Sequence, residues 1–230
     1  MEETDRRTVH FQIQDGVGHL ILNLPPANKM TLAFFEEFNK LVSQVSSDPV
    51  IKALVISGNG RHFSSGADLS VLLSEIERTA KVNNDGTISR VPDFMVTNYQ
   101  SFLKLEAMNI PVISAIRGVC LGSALELALF SHYRFCGEDA VFGLPEASFN
   151  LIPGLGGIRK MTALAGKANA LELILRGKTF SAEDALKIHV VDRILPKRGV
   201  VDAGLEFAHR IKEGYRKEKK IMYLKKFLPV

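Results

Sequence analysis

The chain has 230 residues, 46% of them hydrophobic and 23% charged, with a formal net charge of +4. That length supports one large domain with its own core, and no apolar run approaches the roughly 20 residues needed to span a bilayer. The two cysteines, Cys120 and Cys136, lie in apolar flanks and form neither a disulfide framework nor a CxxC metal pair. They read as buried free thiols in a reducing cytoplasm, and the charged start MEETDRRTVH lacks the apolar segment of an export signal. Much of the positive charge falls in residues 212–227, KEGYRKEKKIMYLKKF. This reads as a solvated helix face, so neither nucleic acid nor membrane is expected as a partner.

In chain order, strands are expected over 8–14 and 17–24, joined at Asp15-Gly16, with Leu20, Leu22 and Leu24 alternating. Pro25-Pro26 ends the second, and 31–47 follows as a helix whose Phe34, Phe35, Phe38, Leu41 and Val42 form one stripe. A strand over 52–57 and a helix over 67–80 come next, then a polar, turn-rich surface loop over 81–92. Further on, the patterns predict a helix over 93–107, a strand over 111–116, a helix over 122–131, and strands over 133–137 and 140–143. Helices over 155–165, 168–176 and 181–188 close the core, Ser181 and Asp184 forming a variant capping box. A short strand over 189–194 precedes one or two helices from 199 onward. Strands alternating with helices argue for an α/β fold with largely parallel pairing. The recurring two-strands-then-helix rhythm hints at a spiral of similar units.

Three strand-to-helix junctions could carry chemistry. In RGVCLGSALELAL (117–129) a helix begins near Gly122, and first-turn N–H groups have no intrahelical acceptor and favour negative charge. Glu126 stands in this otherwise apolar run, three residues after Ser123, so its carboxylate is paired with Arg117 or Arg134, or is held for reaction. In FGLPEASF (142–149), Glu146 follows Pro145, at a loop or first helical turn. In HFSSGADL (62–69), small residues let a ligand approach the backbone, with the Ala67 N–H as donor. The Ala67 and Ser123 N–H groups would together form an oxyanion hole, where removal of one such donor costs roughly 2.7–4 kcal/mol of barrier. Two acids with separated pKa values can supply a base and an acid. Other motifs fail: Leu121 and Leu125 replace both glycines of a G-x-S-x-G elbow, PGLGGIRK (153–160) lacks nucleotide-loop spacing, and the six histidines make no H-x-x-x-H pair, so no metal site is expected.

At these residues the chain resembles the crotonase superfamily, the enoyl-CoA hydratase/isomerase family, from about residue 8 to about 196. The resemblance is carried by Leu22-Asn23-Leu24-Pro25-Pro26-Ala27-Asn28, by Gly58-x-Gly60-x-x-Phe63-x-x-Gly66-Ala67-Asp68-Leu69, and by Gly118-x-x-Leu121-Gly122-Ser123-Ala124-Leu125-Glu126-Leu127-Ala128. Phe142-Gly143-x-Pro145-Glu146, Ile152-Pro153-Gly154-x-Gly156-Gly157 and Ala182-Glu183-Asp184-Ala185 complete it, in an order and spacing that are specific together. It implies a spiral of ββα units, assembly as a homotrimer or dimer of trimers, and an acyl-CoA thioester as ligand, with coenzyme A part of the substrate and no separate cofactor. Its thioester carbonyl would sit between the Ala67 and Ser123 N–H groups, with Glu126 and Glu146 handling water and the α-carbon proton. The coenzyme A would follow Pro26, Ala27, Asn28 and Lys29 up to Met30, then Ser65, Gly66, Ala67, Asp68 and Leu69, beside Gly122, with Arg61 and Lys29 near its phosphates.

Possession of both acids points to hydration of the C2=C3 bond of an acyl-CoA, with fatty acid metabolism one of the pathways left open beside amino-acid, aromatic and polyketide ones. A double-bond isomerase using chiefly Glu146, another crotonase reaction such as thioester hydrolysis, and a non-catalytic acyl-CoA-binding subunit are the rivals. The sequence departs from the family pattern at Gly122-Ser123-Ala124, where hydratases commonly carry three glycines, and at His132, where an acid is often found. Residues 1–196 are expected as the core and 197–230 as a short helical segment, where family members commonly continue further.

Overall fold

A computed structural model of the chain describes residues 7–82 and 88–215. The first two strands, β1 (Val9–Gln14) and β2 (Val17–Leu22), pair antiparallel through the two-residue turn Asp15-Gly16. Both turn residues have positive φ, 47° and 76°, which matches the twist of a hairpin. Helix α1 (Leu32–Ser47) starts where the Thr31 hydroxyl accepts the Phe34 N–H, and its predicted stripe buries Phe34, Phe35, Phe38 and Val42. Strand β3 (Ala53–Gly58) then joins β2 in parallel.

The chain continues through α2 (Leu69–Thr79), β4 (Lys81–Val82), β5 (Ile88–Arg90), α3 (Asp93–Ala107), β6 (Val112–Ile116), β7 (Val119–Leu121) and α4 (Ser123–Leu129). It goes on with β8 (Tyr133–Gly137), β9 (Val141–Gly143), a 3-10 turn (Pro145–Phe149), α5 (Gly157–Ala165) and α6 (Lys167–Arg176). Strand β10 (Thr179–Ser181), α7 (Ala182–Lys187), β11 (Arg193–Leu195) and α8 (Val200–Ile211) complete it. A six-stranded sheet runs β1-β2-β3-β6-β8-β11, parallel beyond the first hairpin, and a second sheet runs β10-β9-β7.

Every residue of β3 and β6 is buried, as parallel strands covered on both faces should be. Leu54 and Ile56 face the larger core with α1, α3 and α4, whereas Ala53 and Val55 face a second cluster with Val200, Phe207 and Ala208 of α8. The boundary expected at 196 therefore falls between β11 and a helix that packs directly on the central sheet. Among the described residues no helix is long and apolar enough to cross a membrane.

Several expectations shift. The polar stretch 81–92 carries the β4–β5 ribbon, with 83–87 outside the described residues. The strand expected over 189–194 narrows to 193–195: α7 ends at Lys187, His189 just beyond it makes a left-handed turn (φ 63°), and pairing with β8 begins only after the Asp192 N–H reaches the Arg134 carbonyl. Strands β7 and β10, three residues each, had no periodicity to announce them. Most of the basic stretch 212–227 lies outside the described residues, as does everything after 215.

Strands β6 and β8 each hand over directly to a strand of the second sheet, β7 and β9, and then to a helical turn. Strand β3 does nearly the same, since Ser64 forms a parallel bridge with Cys120 before α2 begins. Three similar strand-strand-helix units therefore stack side by side, which is the spiral expected from the rhythm of the sequence.

Candidate active site

Stacking the units brings three corners to one end of the second sheet. The Ser64 N–H donates to the Val119 carbonyl (3.0 Å), the Leu121 N–H to the Ser64 carbonyl (3.2 Å), and the Gly122 N–H to the Gly143 carbonyl (2.9 Å). Ala67, Ser123 and Glu146, each just past a corner, line one cavity. Glycine is required at two of these positions. Gly66 has φ +88°, and a Cβ there would lie 2.5 Å from the Leu121 carbonyl oxygen; Gly122 has φ +52°, and a Cβ there would lie 3.2 Å from Glu146 Oε1.

The Ala67 and Ser123 N–H groups donate to no acceptor among the described residues. For Ser123 this follows from its place at the start of α4. For Ala67 it follows from a parallel bridge to Met30, in which the flanking Gly66 carbonyl and Asp68 N–H bond Met30 and leave the Ala67 N–H on the other side. Asn28 fixes the height of this corner. Its buried side chain donates to the carbonyls of Asn59, His62 and Phe63 and accepts the Leu24 N–H. Its own carbonyl accepts the Ser64 hydroxyl, which in turn accepts the Gly66 N–H.

Glu126 is wholly enclosed in α4, a helix with every residue buried. It pairs with neither arginine. Its Oε1 accepts the Leu155 and Gly157 N–H groups, both at 2.8 Å, at the start of α5. Arg134 instead meets Asp192 (3.4 Å) and the carbonyls of Val190 and Ser131, and Arg117 reaches the Gly58 carbonyl, at 3.5 Å. Burial pushes the Glu126 carboxyl up to about 8 against the pull of the two N–H donors, and the nearby Glu146 adds to the rise. Glu146 is also raised by burial, and its Oε2 is enclosed without a hydrogen-bond partner among the described residues.

Both carboxyls, Ala67, Ser123 and Asp68 line a cavity of about 380 Å³. Apolar side chains of α2 (Leu72, Ile76), of α3 (Phe94, Met95) and of the segment 151–155 make up most of its wall. Met30, at the end of the loop assigned to coenzyme A, also lines it, whereas the remaining residues of that assignment lie off the cavity wall. Pro26, Lys29 and Arg61 are exposed, and Ala27 accepts the Ser65 N–H through its carbonyl. Leu69 opens α2, and Lys29 Nζ lies 3.3 Å from Asp68 Oδ2. Asp68 is held below its usual range by the Ser70 hydroxyl and by Lys29.

His132 braces the fold: Nδ1 accepts the Val112 N–H (3.0 Å), and Nε2 lies 3.0 Å from the Glu106 carbonyl. The Leu155–Gly157 amides were not expected from the sequence, where PGLGG reads as a failed phosphate loop and as part of the family pattern, with no carboxyl partner assigned to it. Its signal was a glycine, Gly157, where a Cβ would lie 2.9 Å from Glu126 Oε1.

A family model described as enoyl-CoA hydratase/isomerase matches residues 12–227. The chain is 32% identical over 191 residues to a protein of Arabidopsis thaliana named Delta(3,5)-Delta(2,4)-dienoyl-CoA isomerase, peroxisomal, covering 82% of this chain and 69% of that one. It is 36% identical over 200 residues to the fatty acid oxidation complex subunit alpha of Shewanella amazonensis, covering 84% of this chain but only 27% of that longer one. The crystal structure of an enoyl-CoA hydratase from Bacillus anthracis superposes with a TM-score of 0.80 at 26% identity, covering 94% of this chain and 82% of that one.

Proposed function

From a chain that belongs to the enoyl-CoA hydratase/isomerase family, we propose a catalyst that adds water across the C2=C3 bond of an enoyl-CoA thioester. The observation that carries this reading is the convergence of two acceptor-free amides and two raised carboxyls on one apolar cavity. Attack of water at C3 moves charge onto the thioester oxygen, and the Ala67 and Ser123 N–H groups are the donors for that oxygen. Two carboxylates cannot both ionise cheaply in such a space, so the pair holds a proton near neutrality. Glu126, the more deeply buried of the two, gives its proton to C2; Glu146 takes one from the attacking water. The hydroxide of that water adds to C3, and passage of the proton from Glu146 back to Glu126 restores the starting state, so one water is the net addition. The apolar walls exclude competing water and hold the acyl chain in line with both acids.

The pantetheine and nucleotide would enter past the Pro26–Met30 loop, with Lys29 and Arg61 exposed beside it. The same reading extends to a homotrimer or dimer of trimers. Isomerisation is the second reading, favoured by the named dienoyl-CoA isomerase among the relatives and needing only that Glu146 carry a proton from one carbon to another.

Glu126→Gln and Glu146→Gln are the direct test on 2-enoyl-CoA substrates. Each is expected to lower kcat by roughly 10²–10⁴-fold, while binding of a saturated acyl-CoA changes little. Full turnover in either variant removes that residue from the reaction.

A further inference from the structure

With the two carboxyls, the two amides and Asp68 assigned, Asn98 is a polar side chain on the cavity wall that the reaction leaves unused. It follows Phe94 and Met95 by four and three residues on α3, so the three share one helix face, and all three line the cavity. Asn98 is 3% exposed. Its Oδ1 accepts Asn39 Nδ2 at 2.8 Å, so the amide nitrogen is the end left for the cavity. That nitrogen donates to nothing among the described residues. Among the described residues the enclosed side-chain atoms without a partner are Asn39 Oδ1 and Glu146 Oε2; Asn98 Nδ2 is not sealed with them and keeps contact with the open volume. The side chains that share its face of α3, Phe94 and Met95, offer no oxygen acceptor.

A buried N–H without an acceptor is costly and discriminates strongly against ligands that leave it unpaired. We propose that the cavity is built for an acyl chain bearing an oxygen substituent, hydroxyl or oxo, beyond the reacting carbons, and that Asn98 Nδ2 binds that oxygen. The inference rests on the acyl-CoA reading above and narrows it to oxygenated chains. Asn98 is a specificity residue: it has no hydrogen bond to Glu126, Glu146 or either amide.

The test is calorimetric binding of length-matched saturated acyl-CoAs, plain or with one hydroxyl at successive carbons beyond C3, which needs no turnover. In the unaltered protein one hydroxylated isomer should bind roughly three- to tenfold more tightly than the plain chain. Asn98→Leu should erase that preference. Asn98→Met, uncharged, flexible and of similar length but without a donor, should erase it too and guards against a folding failure of the first variant. The inference is overturned if every hydroxylated chain binds the unaltered protein no better than the plain one, or if the preference survives in Asn98→Leu. If the first result comes with turnover of plain 2-enoyl-CoA, the hydratase reading stands alone; if no CoA thioester binds, both fall.

Discussion

A carboxyl enclosed by apolar side chains keeps its proton unless something compensates the charge, and two amides at 2.8 Å compensate Glu126 only in part. Its value of about 8 in the fold stands above the ordinary 4.5. Between those values the unfolded chain releases a proton that the folded chain retains, so stability falls as pH rises through that window and levels off above it. Glu146 is shifted in the same direction. Glu126→Gln should therefore flatten this decline and gain stability over the unaltered protein, by on the order of a few kcal/mol on the alkaline side. Urea unfolding across the pH range measures it, and parallel profiles for the two proteins would contradict it. At this scale the sequence was partly legible. A glutamate inside Ala124-Leu125-Glu126-Leu127-Ala128 announces itself by its company. The amides that hold it lie about thirty residues onward, where only tertiary contact identifies them. Asn28 belongs to the same class: its type and position were visible, its four internal hydrogen bonds were not.

Among the elements, α2 and α4 make opposite contributions to the cavity. Helix α4 is buried on every residue and carries one carboxyl, whereas α2 buries none of its residues fully and has no side-chain N-cap bond. Its apolar face, with Leu72 and Ile76, covers the cavity. Few buried contacts mean low local stability, so α2 amides should exchange with solvent far faster than those of α4 and slow markedly when a saturated acyl-CoA fills the space. Hydrogen exchange with and without that ligand decides the point; unchanged exchange in α2 would mean the chain binds elsewhere. Long, periodic elements such as α1 and α3 were readable within a residue or two because their apolar stripes repeat over several turns. Strands of three residues offer no such repeat. His189-Val190-Val191 resembles a strand in composition, yet these residues form a turn whose amides are taken by α7 carbonyls.

For the whole molecule, repetition of one unit is what makes a site. Each unit contributes one corner, and parallel pairing within the second sheet forces the corners to the same end. The rhythm of strands and helices was visible in the sequence, but the division of strands between two sheets was not, since both kinds are short and apolar. Leu171 and Leu175 on the outer face of α6 remain exposed, at 54% and 67%. Self-association would cover apolar surface of this kind, and light scattering should give three or six times the 25.4 kDa of one chain; a mass of one chain would remove the trimer from the account.

The central claim is that the amides of Ala67 and Ser123 and the carboxyls of Glu126 and Glu146 act together on a conjugated thioester and a water molecule. Incubation of a 2-enoyl-CoA in heavy-oxygen water, followed by mass spectrometry of the thioester, tests it most directly. The account predicts loss of conjugation with one solvent-derived oxygen at C3. Recovery of the 2-enoyl-CoA unlabelled, while a 3-enoyl-CoA offered separately becomes conjugated, would contradict it.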